Sequence, residues 1–310
     1  MAVGLLFPGQ GSQFVGMVDA WAEHPSAKAV IDEANEVFGT DLVELGRDAE
    51  ALKRTDVVQP VTLICELAAY RVLAESGVEA GGAAGHSLGE FAALAAAGVI
   101  TPADAMAVVR IRSSAMQEAS DSGNGAMTAI VGMSPEDAAA IVEESAQGDV
   151  LLVANFNSPV QTVLSGAEAA VGRAEELARA RSARAIRLPL PGAFHSPLME
   201  PARQRVEAAI GDVAFKPPAF PVIPNATGRP TTDAGELRDA LLRHLVSPVH
   251  WITTMDAMMS LGVERLVEAG PGDVLTKLAK RCVPGVDVVS ARTPEEAAAL
   301  APGSQAGAQA

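Results

Sequence analysis

Positive charge is scarce in this chain: 23 lysines and arginines stand against 38 aspartates and glutamates, a formal net charge of -15 over 310 residues. Nucleic acids and anionic membranes both select for clustered Lys and Arg, so neither is expected as a partner. Cysteine is nearly absent. Cys65 and Cys282 both fall in apolar helical stretches and read as core thiols rather than a disulfide framework, which fits a reducing compartment. No run approaches about 18 apolar residues without a charge or a helix breaker, and no basic segment leads into a long apolar one near the start. The chain therefore reads as cytoplasmic, with neither a membrane span nor a leader expected. Any His/Cys/Asp cluster at metal-ligand spacing is missing too. The lone G-x-G at Gly9 to Gly11 lacks the further glycine and acidic partner of a dinucleotide site, so no metal or redox cofactor is expected.

Apolar residues are plentiful, at 49% of the chain, enough for one large domain or two smaller ones. A strand at Val3 to Phe7 ends in the turn Pro8-Gly-Gln-Gly-Ser-Gln13, and a largely buried helix is expected over Gln59 to Leu73. Ala80 to Gly85 is unusually rich in small residues and leads through a sharp turn into an apolar helix, Leu88 to Ala97. From Gly125 to Leu190 the order is strand, helix, strand, strand, helix, strand, which suggests an inserted ferredoxin-like α+β subdomain. Beyond Pro191, helices alternate with strands near Pro221 to Ile223 and Val263 to Glu268, and small glycine turns separate them. The fold class expected is α/β: a hydrolase-like, mainly parallel sheet domain over 1–122 and 191–290, with the small subdomain at 123–190. Residues 291–310 carry no apolar periodicity and read as a flexible tail.

Gly85-His86-Ser87-Leu88-Gly89 fits G-x-S-x-G, the elbow in which small flanking residues permit a strained turn that lifts a serine clear of the sheet. The helix that follows brings backbone N–H groups and a positive dipole end close to any developing oxyanion. A serine hydroxyl is a weak nucleophile and needs a base. Of five histidines, His24 and His244 lie in charged helical surroundings and read as surface residues, while His86 leaves the turn in a different direction from Ser87. His195 stands in the non-periodic Pro191-Gly-Ala-Phe-His-Ser-Pro197, where a catalytic loop is expected. Arg110 and Arg112 lie two positions apart on one helix and cannot share a face, so at most one of them serves a site.

Six ordered motifs give the chain its resemblance: Pro8-Gly-Gln-Gly-Ser-Gln13, Gly85-His-Ser-Leu-Gly-Glu90, Met116-Gln-Glu-Ala119, Asn155-Phe-Asn-Ser-Pro159, Gly192-Ala-Phe-His-Ser196 and Gly270-Pro-Gly272. Together, over Val3 to Val289, the chain resembles the malonyl-CoA:acyl carrier protein transacylases of fatty acid or polyketide synthesis. The resemblance implies that Ser87 is the acylated nucleophile and His195 its base, forming a dyad whose second imidazole nitrogen is held by backbone carbonyls. It implies an oxyanion hole from the N–H groups of Gln10 and Leu88, and a carboxylate clamp at Arg112, where a planar guanidinium suits malonate better than lysine. Phe194 before His195 matches malonyl selectivity, and Asn157 and His250 are the remaining candidates for the substrate pocket.

Malonyl-CoA and an acyl carrier protein are the partners implied, for an enzyme that acts as a monomer without a cofactor. A docking patch for the acidic carrier is expected at Arg173, Arg179, Arg181, Arg184 and Arg187. Three alternatives are an acyl hydrolase that clears carrier proteins, a trans-acting polyketide acyltransferase using another extender unit, and an idle carrier-binding module.

Overall fold

A computed structural model describes residues 2–123, 125–190 and 192–303. Five strands make one sheet: β1 (Val3–Phe7), β2 (Ala80–Gly85), β7 (Val222–Ile223), β8 (Arg265–Ala269) and β9 (Asp287–Ala291), in the order β7-β2-β1-β8-β9 with every pairing parallel. All five residues of β1 are buried, as an uninterrupted apolar strand must be when helices cover both faces of a parallel sheet. The small residues of β2 also have a packing cause. Side chains of Met258 and Leu261 occupy the space a Cβ on Gly82 would need, so the neighbouring helix sits directly on the strand. The expected α/β class with a mainly parallel sheet is the one observed.

The other four strands, β3 (Gly125–Val131), β4 (Leu151–Ser158), β5 (Gln161–Ala167) and β6 (Arg184–Arg187), form a separate antiparallel sheet in the order β4-β5-β3-β6. Helices Pro135–Ala146 and Glu168–Ala180 complete a βαββαβ unit whose own core includes Ile130, Ile141, Leu164 and Val171. Ser134 caps the first of these helices by accepting the Asp137 N–H.

Helix Thr55–Glu75 is long and apolar enough to cross a membrane by length and composition, yet 78% of that window is buried inside the protein. It serves as a core helix. Residues 291–303 correct the expectation of a tail. Ala291 ends β9, and Thr293 caps a helix over Pro294–Ala298 that buries Pro294 and Ala297 against the protein. Alanine-rich sequence gives little periodic signal, but a methyl group at a close approach packs as tightly as a larger side chain. The rest of the expected tail, 304–310, lies outside the described residues.

Candidate active site

Ser87 occupies the turn between β2 and helix Gly89–Ala96 with φ at +51°, a strained conformation for a residue with a side chain. The flanking glycines are obligatory. A Cβ on Gly85 would overlap the main chain of Gly89, and one on Gly89 would overlap the Phe7 carbonyl. What stabilises the turn is Asn225, in the loop after β7: its Oδ1 accepts the Ser87 N–H at 2.7 Å, while its Nδ2 donates to the Gly85 carbonyl.

His195 reaches Ser87 from the loop between β6 and helix Glu200–Gly211, placing Nε2 2.8 Å from Ser87 Oγ. Its own φ is +58°, and Ser196 fixes the loop by donating to the Ala193 carbonyl at 2.6 Å. Nδ1 faces two backbone carbonyls, those of His244 at 3.0 Å and Ser247 at 3.1 Å. Carbonyls only accept, so the proton belongs on Nδ1 and the lone pair on Nε2, aimed at the serine hydroxyl. Burial, followed by the charges of Arg112 and His86, pushes the His195 pKa down to about 3, leaving a neutral base at ordinary pH.

Arg112, on helix Pro102–Asp121, is 1% exposed. Nη1 donates to Gln59 Oε1 at 2.6 Å and Nη2 donates to Ser87 Oγ at 3.0 Å, while the guanidinium lies 5.7 Å from the centre of the Phe91 ring. Burial lowers its pKa to about 10, so it stays cationic at neutral pH. Arg110 points to solvent, which settles the choice between the two arginines.

These groups open on a cavity of about 380 Å³ between the two sheets' units, which Gln10, Leu88, Met116, Asn157 and Phe194 also line. Among the described residues neither the Gln10 nor the Leu88 amide N–H meets an acceptor, so both donors are free at the cavity wall. Asn157 Oδ1 lies 2.9 Å from His86 Nε2, so the elbow histidine turns away from Ser87 toward β4. The site as a whole can hold an anion beside a nucleophile that has its base in place.

Three expectations are corrected here. His250 is not among the residues lining the cavity: its ring stacks on Phe156 at 5.4 Å and its N–H donates to the Asn225 carbonyl. His244, read as a surface residue, is 2% exposed and stacks on the ring of His195 at 5.5 Å. The arginine patch is largely neutralised, because Arg173 pairs with Asp149, Arg179 with Glu175, Arg181 with Glu144, and Arg187 with Glu168 and Glu175. Lys277 and Arg281, on helix Val274–Cys282, line the cavity instead. Gln59 and Asn225 are site residues that sequence reading missed. A glutamine near the start of an apolar helix was the one visible signal for the first; a single loop asparagine offers none for the second.

Comparison with known proteins agrees with this geometry. The family model described as the acyl transferase domain matches residues 5–302. The malonyl CoA-acyl carrier protein transacylase of Escherichia coli K12 is 42% identical over 301 residues, covering 96% of both chains, and that of Bacillus subtilis 168 is 38% identical, covering 94% of both. Among solved structures, a malonyl-transacylase in complex with a type II PKS acyl-carrier protein superposes with a TM-score of 0.93 at 37% identity, covering 97% of this chain and 99% of that one. An acyl carrier protein S-malonyltransferase from Vibrio cholerae gives a TM-score of 0.89 at 41% identity, covering 94% and 96%.

Proposed function

Because the chain belongs to the acyl transferase domain family, we propose that it moves a malonyl group from malonyl-CoA to the phosphopantetheine thiol of an acyl carrier protein through an ester on Ser87. One observation carries the reading: a single serine hydroxyl lies 2.8 Å from the lone-pair nitrogen of a neutral imidazole and 3.0 Å from a buried guanidinium.

The chemistry runs in two balanced halves. His195 Nε2 takes the Ser87 proton as Oγ bonds to the thioester carbon, and the charge that develops on oxygen meets the N–H groups of Gln10 and Leu88. When the tetrahedral adduct collapses, the carbon–sulfur bond breaks and the proton on His195 goes to the departing CoA sulfur. The carrier thiol then repeats the sequence in reverse, giving its proton to His195 and attacking the ester. The thioester is already activated, so acid–base side chains suffice, and the reading needs no metal or redox cofactor.

Arg112 supplies selectivity, since its fork can hold the free carboxylate of malonate through two parallel bonds while Gln59 and Phe91 keep it in place. Phe194 narrows the cavity against an α-methyl branch, a discrimination worth about 1–3 kcal/mol. One chain supplies every residue of this cluster, so the reading extends to a monomer working in the cytoplasm.

Mixing the protein with malonyl-CoA and following its intact mass tests the reading. A malonyl ester on Ser87 that persists in buffer and disappears when phosphopantetheinylated carrier protein is added supports transfer. Rapid loss to water without the carrier identifies a hydrolase, and no adduct at all identifies an idle module.

A further inference from the structure

Glu90 lies three residues beyond Ser87 in the first turn of helix Gly89–Ala96, and it is 1% exposed. A buried carboxyl has a cause if something holds it. Oε2 accepts the backbone N–H of Asn225 at 2.8 Å, and the side chain of that same Asn225 holds the Ser87 N–H. Oε2 also lies 3.8 Å from Nδ1 of His244, whose ring stacks on His195 at 5.5 Å and 20° and whose carbonyl accepts the proton of His195 Nδ1. Glu90 therefore touches both halves of the dyad, the elbow through Asn225 and the imidazole through His244.

Acylation turns His195 into an imidazolium. The charge of buried Arg112 opposes that new charge; one ring away, beyond His244, an ionised Glu90 favours it. We infer that Glu90 is a positioning residue and remote counter-charge, which braces the Ser87 turn through Asn225 and offsets Arg112 when His195 takes the serine proton. The inference rests on the roles proposed above for Ser87 and His195.

The groups facing Glu90 are few: Asn225 from the loop after β7, His244 from the turn preceding Ser247, and Arg112 from helix Pro102–Asp121. His244 stays neutral because burial and the neighbouring charge of Arg112 lower its pKa well below the usual range. The carboxyl of Glu90 is pushed up to about 7 by burial, against the opposing pull of the Asn225 N–H and Arg112, so its charge changes within the working range. His195 itself titrates far below that range, and so the rate of Ser87 acylation should rise with pH through the ionisation of Glu90.

The test is the first-turnover rate of Ser87 acylation by malonyl-CoA from pH 5.5 to 8.5, in the parent protein, Glu90→Gln and Glu90→Asp, with the adduct mapped to its peptide. The parent is expected to show a rise with a midpoint near 7. Glu90→Gln keeps an acceptor for Asn225 but carries no charge, so its profile is expected to be flat and about tenfold below the parent at pH 8. Glu90→Asp keeps the charge and is expected to regain the rise at a shifted midpoint, a result a purely structural role would not produce. A rise that survives in Glu90→Gln, or one whose midpoint does not move in Glu90→Asp, overturns the inference, as does a flat parent profile. If the parent forms no adduct on Ser87 at any pH, it is the proposed function that fails.

Discussion

Ser87 and Asn225 are 138 positions apart in the chain, and the side chain of the second accepts the amide hydrogen of the first at 2.7 Å. The same side chain donates to the Gly85 carbonyl, so one amide group satisfies both ends of the strained turn. Aspartate at 225 would retain the first bond and set an oxygen against the Gly85 carbonyl in place of the second. Asn225→Asp is expected to lose about 2–4 kcal/mol in urea unfolding and to acylate more slowly. Parent-like stability would contradict this role.

Two glycines in helices make a paired test of close packing. Alanine at Gly89 would press its methyl into the main chain of Phe7 and Pro8, whereas alanine at Gly172, in helix Glu168–Ala180, meets nothing within 4 Å. Gly89→Ala is expected to cost more than about 3 kcal/mol or to prevent soluble expression, and Gly172→Ala to stabilise by about 0.5–1 kcal/mol. Thermal melts of the two variants check both signs.

Arg112→Lys keeps the charge but removes the planar fork that Gln59 and Phe91 hold in place. Its kcat/KM for malonyl-CoA is expected to fall about 100-fold, with a much smaller change for acetyl-CoA, which has no carboxylate to hold. Competition between the two thioesters reads the ratio directly. An unchanged ratio would remove Arg112 from substrate selection.

Folding stability should carry the mark of His195. Its folded pKa, about 3, lies below the ordinary 6.5, so in that window the unfolded chain binds the extra proton and acid favours unfolding. Between pH 6.5 and 4.5 this one group removes about 2 kcal/mol. Glu90 works the other way: its folded pKa of about 7 lies above 4.5, so its contribution is present at low pH and lost as pH rises through 7. His195→Gln is therefore expected to lose less stability than the parent over pH 6.5 to 4.5, as measured by urea midpoints. Equal losses would show that His195 is not held neutral.

Much of the site was legible because its residues answer to local rules. Gly85 and Gly89 bracket Ser87 for a reason of overlap that any serine elbow shares, and His195 stood out in a stretch with no periodicity. What escaped is carried by the main chain or by distant partners. The resemblance implied backbone carbonyls for His195, but a carbonyl leaves no trace in residue type, so that one of the two belongs to His244 was not legible. The arginines of the small subdomain looked like a free patch partly because some of their acidic partners lie elsewhere in the chain, 24 positions away for Arg173 and Asp149 and 37 for Arg181 and Glu144. His244 reads as a surface residue until the fold closes around it.

Rapid-quench mass spectrometry of the parent, Ser87→Ala and His195→Ala after mixing with malonyl-CoA tests the central claim most directly. The expected result is a malonyl ester confined to the peptide that contains Ser87, absent from Ser87→Ala and formed at least about 100-fold more slowly in His195→Ala. An adduct of undiminished yield in Ser87→Ala, or an unchanged rate without the imidazole, would contradict it.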